Sequence, residues 1–158
     1  MLQKPIPLFL SSCFFALVSA QTPTHRNVSI DDQSPLIDYV PRTSWSLTDA
    51  GDWDAGEGRA HMVTNDADAY ATFRFIGVAF YYYSALWPYR VGTGIRVDGG
   101  PVTVIDQQDH DSAPTAENQG PSVRAQVLSS VTGLSNSEHT IQILPPPGYG
   151  VAVVDFFM

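Results

Sequence analysis

The sequence predicts an all-β fold, an antiparallel β-sandwich of jelly-roll type, and three observations carry that prediction. About eight to ten short runs of β-branched and aromatic residues recur between Gly, Pro, Asn and Asp punctuation, which is the spacing of a sandwich rather than of βαβ units. No window beyond the first 20 residues sustains a 3.6-residue apolar stripe over three turns, so no amphipathic helix competes for the core. The densest stretch, YATFRFIGVAFYYYSALWPYRVGTGIRVDGGP from Tyr70 to Pro101, holds strand periodicity, an aromatic connection and a hairpin turn in succession.

Along the chain, Gln21 to Arg26 is a polar lead-in and Asn27-Val28-Ser29 is a glycosylation sequon. Val28 and Ile30 alternate into Asp31-Asp32 as a first strand. Ser34-Pro35 opens a second, Leu36 to Val40, which Pro41 ends because proline has no N–H to donate. From Thr43 to Arg59, Trp45 and Trp53 sit among Ser, Thr, Asp and Gly, a loop composition. Ala60 to Thr64 reads as a short strand, and residues 65–68 turn the chain into the central stretch.

There Ala71, Phe73 and Phe75 alternate with Thr72 and Arg74, the two-residue period of a strand with one buried face. A hinge is expected at Gly77, and Val78 to Tyr83, apolar or aromatic on both faces, reads as a central strand. Thr93, Ile95 and Val97 lead into Asp98-Gly99-Gly100, which tolerates positive φ, and Val102 to Ile105 returns as the partner of that hairpin. Asp106 to Pro121 is too acidic and too rich in Gln, Asn and Pro for a strand and reads as a long loop. Val123, Ala125 and Val127 alternate toward Leu128, Gly133-Leu134 marks a turn, and His139 to Ile143 alternates again until Pro145 to Pro147 stop the ladder. Val151 to Phe157 is apolar enough to predict a central strand.

The first 20 residues have the form of a secretory signal: Lys4 at the start, an apolar stretch from Leu8 to Val18, and Val18-Ser19-Ala20 as a small-residue cleavage site. Gln21 is then the mature N-terminus, and residues 21–158 form a single β-sandwich domain. No other stretch is apolar enough to span a bilayer, and the sequence stops at Met158 without a tail helix, so the mature chain is expected to be extracellular and not membrane-inserted. Cys13 lies in the signal, which leaves the mature chain without disulfides, cysteine nucleophiles or thiolate metal sites. Of the 8 basic residues Lys4 is also lost, and seven arginines then face 16 carboxylates, a balance that repels nucleic acid and anionic lipid and favours solubility.

The order of several short motifs resembles a known group. Asn27-Val28-Ser29-Ile30-Asp31-Asp32 with Ser34-Pro35-Leu36-Ile37, the step from Phe73 to Ala79, Val97-Asp98-Gly99-Gly100, Gly133-Leu134 ahead of His139-Thr140-Ile141, and Val154-Asp155-Phe156-Phe157 together resemble the secreted or membrane-tethered fungal proteins with a galactose-binding-like jelly roll. The resemblance covers nearly all of residues 21–158 and implies two antiparallel sheets, an extracellular location and glycan binding. Many members carry a Ser/Thr-rich linker and a membrane helix after this domain; this sequence stops before either. It transfers no catalytic residue, because the group has no diagnostic catalytic motif.

The richest candidate site is Tyr81, Tyr83, Trp87, Tyr89 and Arg90. Sugars present apolar C–H faces and rings of hydroxyls, so a site needs flat aromatics together with polar groups that take the hydroxyls. Trp87-Pro88-Tyr89-Arg90 lies between strands, where aromatics are more readily exposed; the alternative is that Tyr81 to Tyr83 fill the core and Trp87 folds over its rim, and Tyr82, which shares the Val78 and Phe80 face, is assigned to the core. Asp49, Asp52, Asp54 and Glu57, and likewise Asp106, Asp109, His110 and Asp111, fit no calcium loop spacing and read as solvated acidic loops, so no metal ligand and no cofactor is assigned. G-x-S-x-G, H-E-x-x-H and phosphate-binding glycine loops are all missing, and His25, His61, His110 and His139 are scattered. The sequence thus reads as a secreted, non-catalytic binding module for neutral carbohydrate of a cell wall or host surface. The alternative is a structural or adhesion domain with protein partners and no sugar ligand. A glycoside hydrolase stands third, since it needs a paired carboxylate that the sequence does not single out.

Overall fold

The computed structural model describes residues 25–49, 60–116 and 120–158. The expected signal and cleavage site, and Asp52, Asp54 and Glu57, lie outside the described residues. The strands are β1 (Ile30–Asp31), β2 (Ile37–Val40), β3 (Ser46–Leu47), β4 (Met62–Thr64), β5 (Tyr70–Leu86), β6 (Gly92–Val97), β7 (Val102–Asp106), β8 (Val123–Leu144), β9 (Ala152–Val154) and β10 (Phe156–Phe157). They pair antiparallel in two sheets, a large one ordered β1-β10-β5-β8-β6-β7 with β2 beside the start of β5, and a small one ordered β3-β4-β9. This is the jelly-roll sandwich that the turn-separated runs predict. Among the described residues the only helical turn is a 3-10 turn at Arg42–Ser44.

Alternation builds the core. Phe73, Phe80, Tyr82, Ile95, Ile141 and Ile143 of the large sheet meet Met62, Ala152 and Val154 of the small one, and each buried Phe, Ile, Met or Val among them contributes about 1.5–3 kcal/mol of transfer free energy. Phe157 of β10 packs into the same core, with ring centroids 5.6 Å from Phe73 and 5.3 Å from Phe80. Near the N-terminus the Tyr39 hydroxyl donates to the Asp32 carbonyl at 2.6 Å while its ring packs 4.9 Å from Trp45. Tyr39 thus ties β2 to the Asp32 turn before it and to the Trp45 segment after it.

Several expectations change in the structure. Gly77 is no hinge, because β5 runs unbroken for 17 residues. Gly133-Leu134 is no turn between strands, because β8 runs for 22. The two features are one: the ladder steps from Gly77↔Ser137 to Ala79↔Thr132, so residues 133–136 bulge opposite Val78, and Gly133 takes φ 75°, a left-handed conformation that glycine adopts without a Cβ clash. Composition at this point signals a chain reversal, but the partner strand continues and absorbs the extra residues. Nor is Val151 to Phe157 one central strand. The chain changes sheets at Asp155, β9 forming an edge of the small sheet and β10 pairing with Tyr82 and Tyr83 in the large one. At the start, Val28 is exposed and the first strand begins only at Ile30. The hairpin at Asp98-Gly99 forms as predicted, with φ of 50° and 70° and Gly100 N–H donating to Val97 O.

Candidate functional site

The connection from β5 to β6 folds back over the outer face of the small sheet. Ala85, Trp87, Tyr89 and Val91 form a second apolar cluster there with Val153, and Val63 and Val151 pack against it. Trp87 is 1% exposed and Tyr89 6%, so of the two arrangements the sequence leaves open the connection takes the buried one. The reason is that the outer valines of the small sheet, Val63 and Val153, need a cover, which this connection supplies. Trp87 is pinned by its backbone as well: its N–H donates to Gln107 O at 2.9 Å, and its carbonyl accepts from Asp109 N–H at 2.6 Å.

Gln107 explains why the segment after β7 is only partly the loop its composition predicts. It is fully buried, donating from Nε2 to the Ser84 Oγ at 2.8 Å and to the Tyr82 hydroxyl at 3.0 Å, while its Oε1 accepts from Thr93 Oγ1 at 2.6 Å. Tyr82 donates onward to Val153 O at 2.8 Å. This satisfied network ties β5, β6, β9 and the Gln107 segment together beneath the aromatic cover.

Above that base opens a cleft of about 410 Å³ lined by His61, Asn65, Trp87, Tyr89, Arg90 and Tyr149 together with valines and glycines of the 148–153 segment. The exposed Arg90 guanidinium lies 4.4 Å from the centre of the Tyr149 ring, a cation–π contact that holds both side chains at the cleft. Tyr149 in turn lies on Gly92: a Cβ there would sit 2.3 Å from its Cδ1 and 2.5 Å from its Cε1. Gly92→Ala is accordingly expected to displace the ring and lower stability by about 1–3 kcal/mol. Thermal melts of Gly92→Ala, Tyr149→Ala and the double variant check this, since the loss should largely vanish once the ring is gone. His61 meets the Trp87 ring edge-on at 5.5 Å, and burial pushes its pKa down to about 4, so it is neutral at pH 7.

Three of the five sequence-derived candidates, Trp87, Tyr89 and Arg90, thus come together, two of them as floor rather than as exposed platforms. Tyr81 and Tyr83 do not line the cleft. Both are half-buried beside β10, Tyr83 stacking on Phe156 at 4.4 Å and Tyr81 exchanging backbone hydrogen bonds with Met158. The period of β5 puts them on the face opposite Tyr82, away from the cover. Sequence reasoning missed Tyr149 and Asn65. A tyrosine between two glycines after three prolines was the available signal, because such a segment holds an aromatic clear of any sheet.

Among the described residues no three His, Cys, Asp or Glu side chains converge as a metal cage. His110 Nε2 pairs with Asp106 at 2.9 Å, and Asp109 accepts from the Asp111 N–H at 3.0 Å, which are local turn contacts. His139 bonds Asp98 through Nδ1 at 2.7 Å and the Ser135 carbonyl through Nε2 at 2.9 Å; these acceptors, the Asp98 carboxylate foremost, raise its pKa. It clamps the bulge of β8 to the β6–β7 hairpin.

No protein-family model matches the chain, and no curated protein matches it in sequence. Solved structures do match in fold. A family 35 carbohydrate-binding module from Clostridium thermocellum superposes with a TM-score of 0.54 at 14% identity, over 83% of this chain and 96% of that one. A CBM36 carbohydrate-binding module solved with calcium and xylotriose gives 0.51 at 12% identity, over 84% and 98%. The GH26-CBM35 β-(1,4)-mannanase of Podospora anserina gives 0.51 at 14% identity, over 82% of this chain but only 26% of the enzyme, so the chain spans about a quarter of that protein's length. What is shared at such identities is the architecture: this chain is an antiparallel jelly-roll sandwich of the kind that carbohydrate-binding modules also adopt.

Proposed function

We propose that this chain is a secreted binding module for neutral carbohydrate of a cell wall or host surface, and that it binds without catalysis. The observation that carries the reading is the cleft in which the Tyr149 ring, the Arg90 guanidinium and the Asn65 amide converge over a rigid Trp87 and Tyr89 floor. An aromatic face suits sugar C–H groups, and the amide and guanidinium suit hydroxyls. Among the described residues no carboxylate lines the cleft, and glycoside hydrolysis by the usual route needs two. The fold neighbours that are carbohydrate-binding modules support the same reading, and the signal-like first 20 residues support secretion.

A glycan array followed by calorimetric titration of any neutral oligosaccharide that binds is the test. Arg90→Ala and Tyr149→Ala are each expected to weaken binding about tenfold or more, which corresponds to about 1.4 kcal/mol. Because Arg90 is exposed, its variant should melt within about 2 °C of the parent. A folded protein that binds no glycan, or variants that bind as the parent does, would sink the proposal.

The second reading, an adhesion domain with protein partners, has its own observation: Val28, Leu36 and Ile76 are large apolar side chains in solvent around one groove.

A further inference from the structure

That groove, of about 300 Å³, lies far from the proposed cleft in lining and chemistry, sharing no residue with it. It opens along one edge of β5. On that edge β2 pairs with residues 70–73, β10 with Tyr82 and Tyr83, and Met158 with Tyr81, and among the described residues no strand pairs with residues 74–80. Phe80 and Phe157 form the buried floor, while Leu36 at 59% and Ile76 at 74% exposure stand at the rim. An unpaired edge flanked by apolar side chains invites association and is ordinarily covered. Asn27, exposed and within the sequon Asn27-Val28-Ser29, itself lines the groove.

We propose that Asn27 carries an N-linked glycan whose first sugars lie in this groove and cover the β5 edge. The occupant is chosen by the attachment point, since a chain tethered at the lip is held at high effective concentration over the floor. Its chemistry also fits, because the N-acetyl methyl and pyranose C–H faces can pack on Ile76 and Leu36 while the hydroxyls remain in water. In the transfer step the Asn27 amide nitrogen bonds to C1 of the first N-acetylglucosamine, the C1–O bond to a lipid pyrophosphate donor breaks, the amide loses one proton and the lipid pyrophosphate leaves. The inference rests on the secreted part of the proposed function, since that donor belongs to the secretory route.

The test expresses the full chain in a eukaryotic secretory host and compares it with Asn27→Gln. Mass spectrometry of the Asn27 peptide should show an N-glycan, and Asn27→Gln should bind the apolar dye ANS several-fold more than the glycosylated parent. Adding Ile76→Ser to Asn27→Gln should abolish that increase, which assigns the dye to this groove. A chain retained unmodified in the cells overturns secretion and this inference together. A secreted chain bare at Asn27, or one whose glycan leaves ANS binding equal to that of Asn27→Gln, overturns this inference alone and leaves the groove to a protein partner.

Discussion

Trp87→Ala is expected to destabilise the protein by about 3–5 kcal/mol, the cost of emptying a large aromatic site that cannot collapse. For a chain of this size that is a fall in Tm of roughly 6–20 °C, measured by differential scanning calorimetry. The size of the effect follows from position: the ring is 1% exposed and packed with Ala85, Tyr89, Val91 and Val153. Its backbone also shares hydrogen bonds with Gln107 and Asp109, so losing the ring loosens the whole cover of the small sheet. Trp87→Phe, which keeps an aromatic in the site, should recover a large part of the loss. A Trp87→Ala protein that melts within a few degrees of the parent would show that the ring is a surface platform after all. Any sugar-binding loss in this variant is therefore secondary to unfolding, which is why Arg90 and Tyr149 are the informative positions for binding.

The second large effect is a pH dependence centred on Asp32. The residue is 1% exposed, and its Oδ2 is buried without a hydrogen bond. Burial first, then the neighbouring carboxylates of Asp31 and Asp155, pushes its pKa up to about 8, with the contact to Gln33 pulling the other way. The folded state thus holds a proton that the unfolded chain releases near 3.8, and this contribution to stability is lost as pH rises toward 8. His61 has the opposite sign. Its pKa is depressed to about 4 from 6.5, so its contribution is present above 6.5 and lost as pH falls toward 4.

Between about pH 4 and 6.5 the two slopes oppose each other, and above 6.5 Asp32 acts with His139, whose raised pKa adds loss in the same direction. Tm should therefore be nearly flat from pH 4.5 to 6.5 and fall by roughly 4–8 °C from 6.5 to 8, as about 2 kcal/mol from Asp32 is lost. In Asp32→Asn the fall above 6.5 should shrink and a rise with pH should emerge below 6.5, where His61 acts unopposed. Melting curves of both proteins across that range decide it, and a variant whose profile overlays the parent's would refute the assignment.

Much of the sandwich was legible because its signals are local. The alternation of Ala71, Phe73 and Phe75 and the positive-φ residues Asp98 and Gly99 report backbone geometry that neighbouring residues alone dictate. Tyr82 could be placed in the core from its shared period with Phe80. The site was legible only in part. Trp87, Tyr89 and Arg90 of the candidate run line one cleft, but Tyr81 and Tyr83 do not, and Tyr149 joins from more than fifty residues away.

The alternation from Ala71 to Phe75, the hairpin turn and the stop at Pro145 to Pro147 were settled by the sequence itself, since φ preferences and side-chain period need no distant partner. Tertiary structure alone decided that Gly133 sits in a bulge, that Asp155 marks a change of sheet, and that Trp87 is a floor rather than a platform. Each of those outcomes depends on which surface lies opposite: β5 running on past the bulge, or the outer valines of the small sheet left to be covered. Burial is a property of pairs of surfaces, and a single run of residues specifies only one of the two.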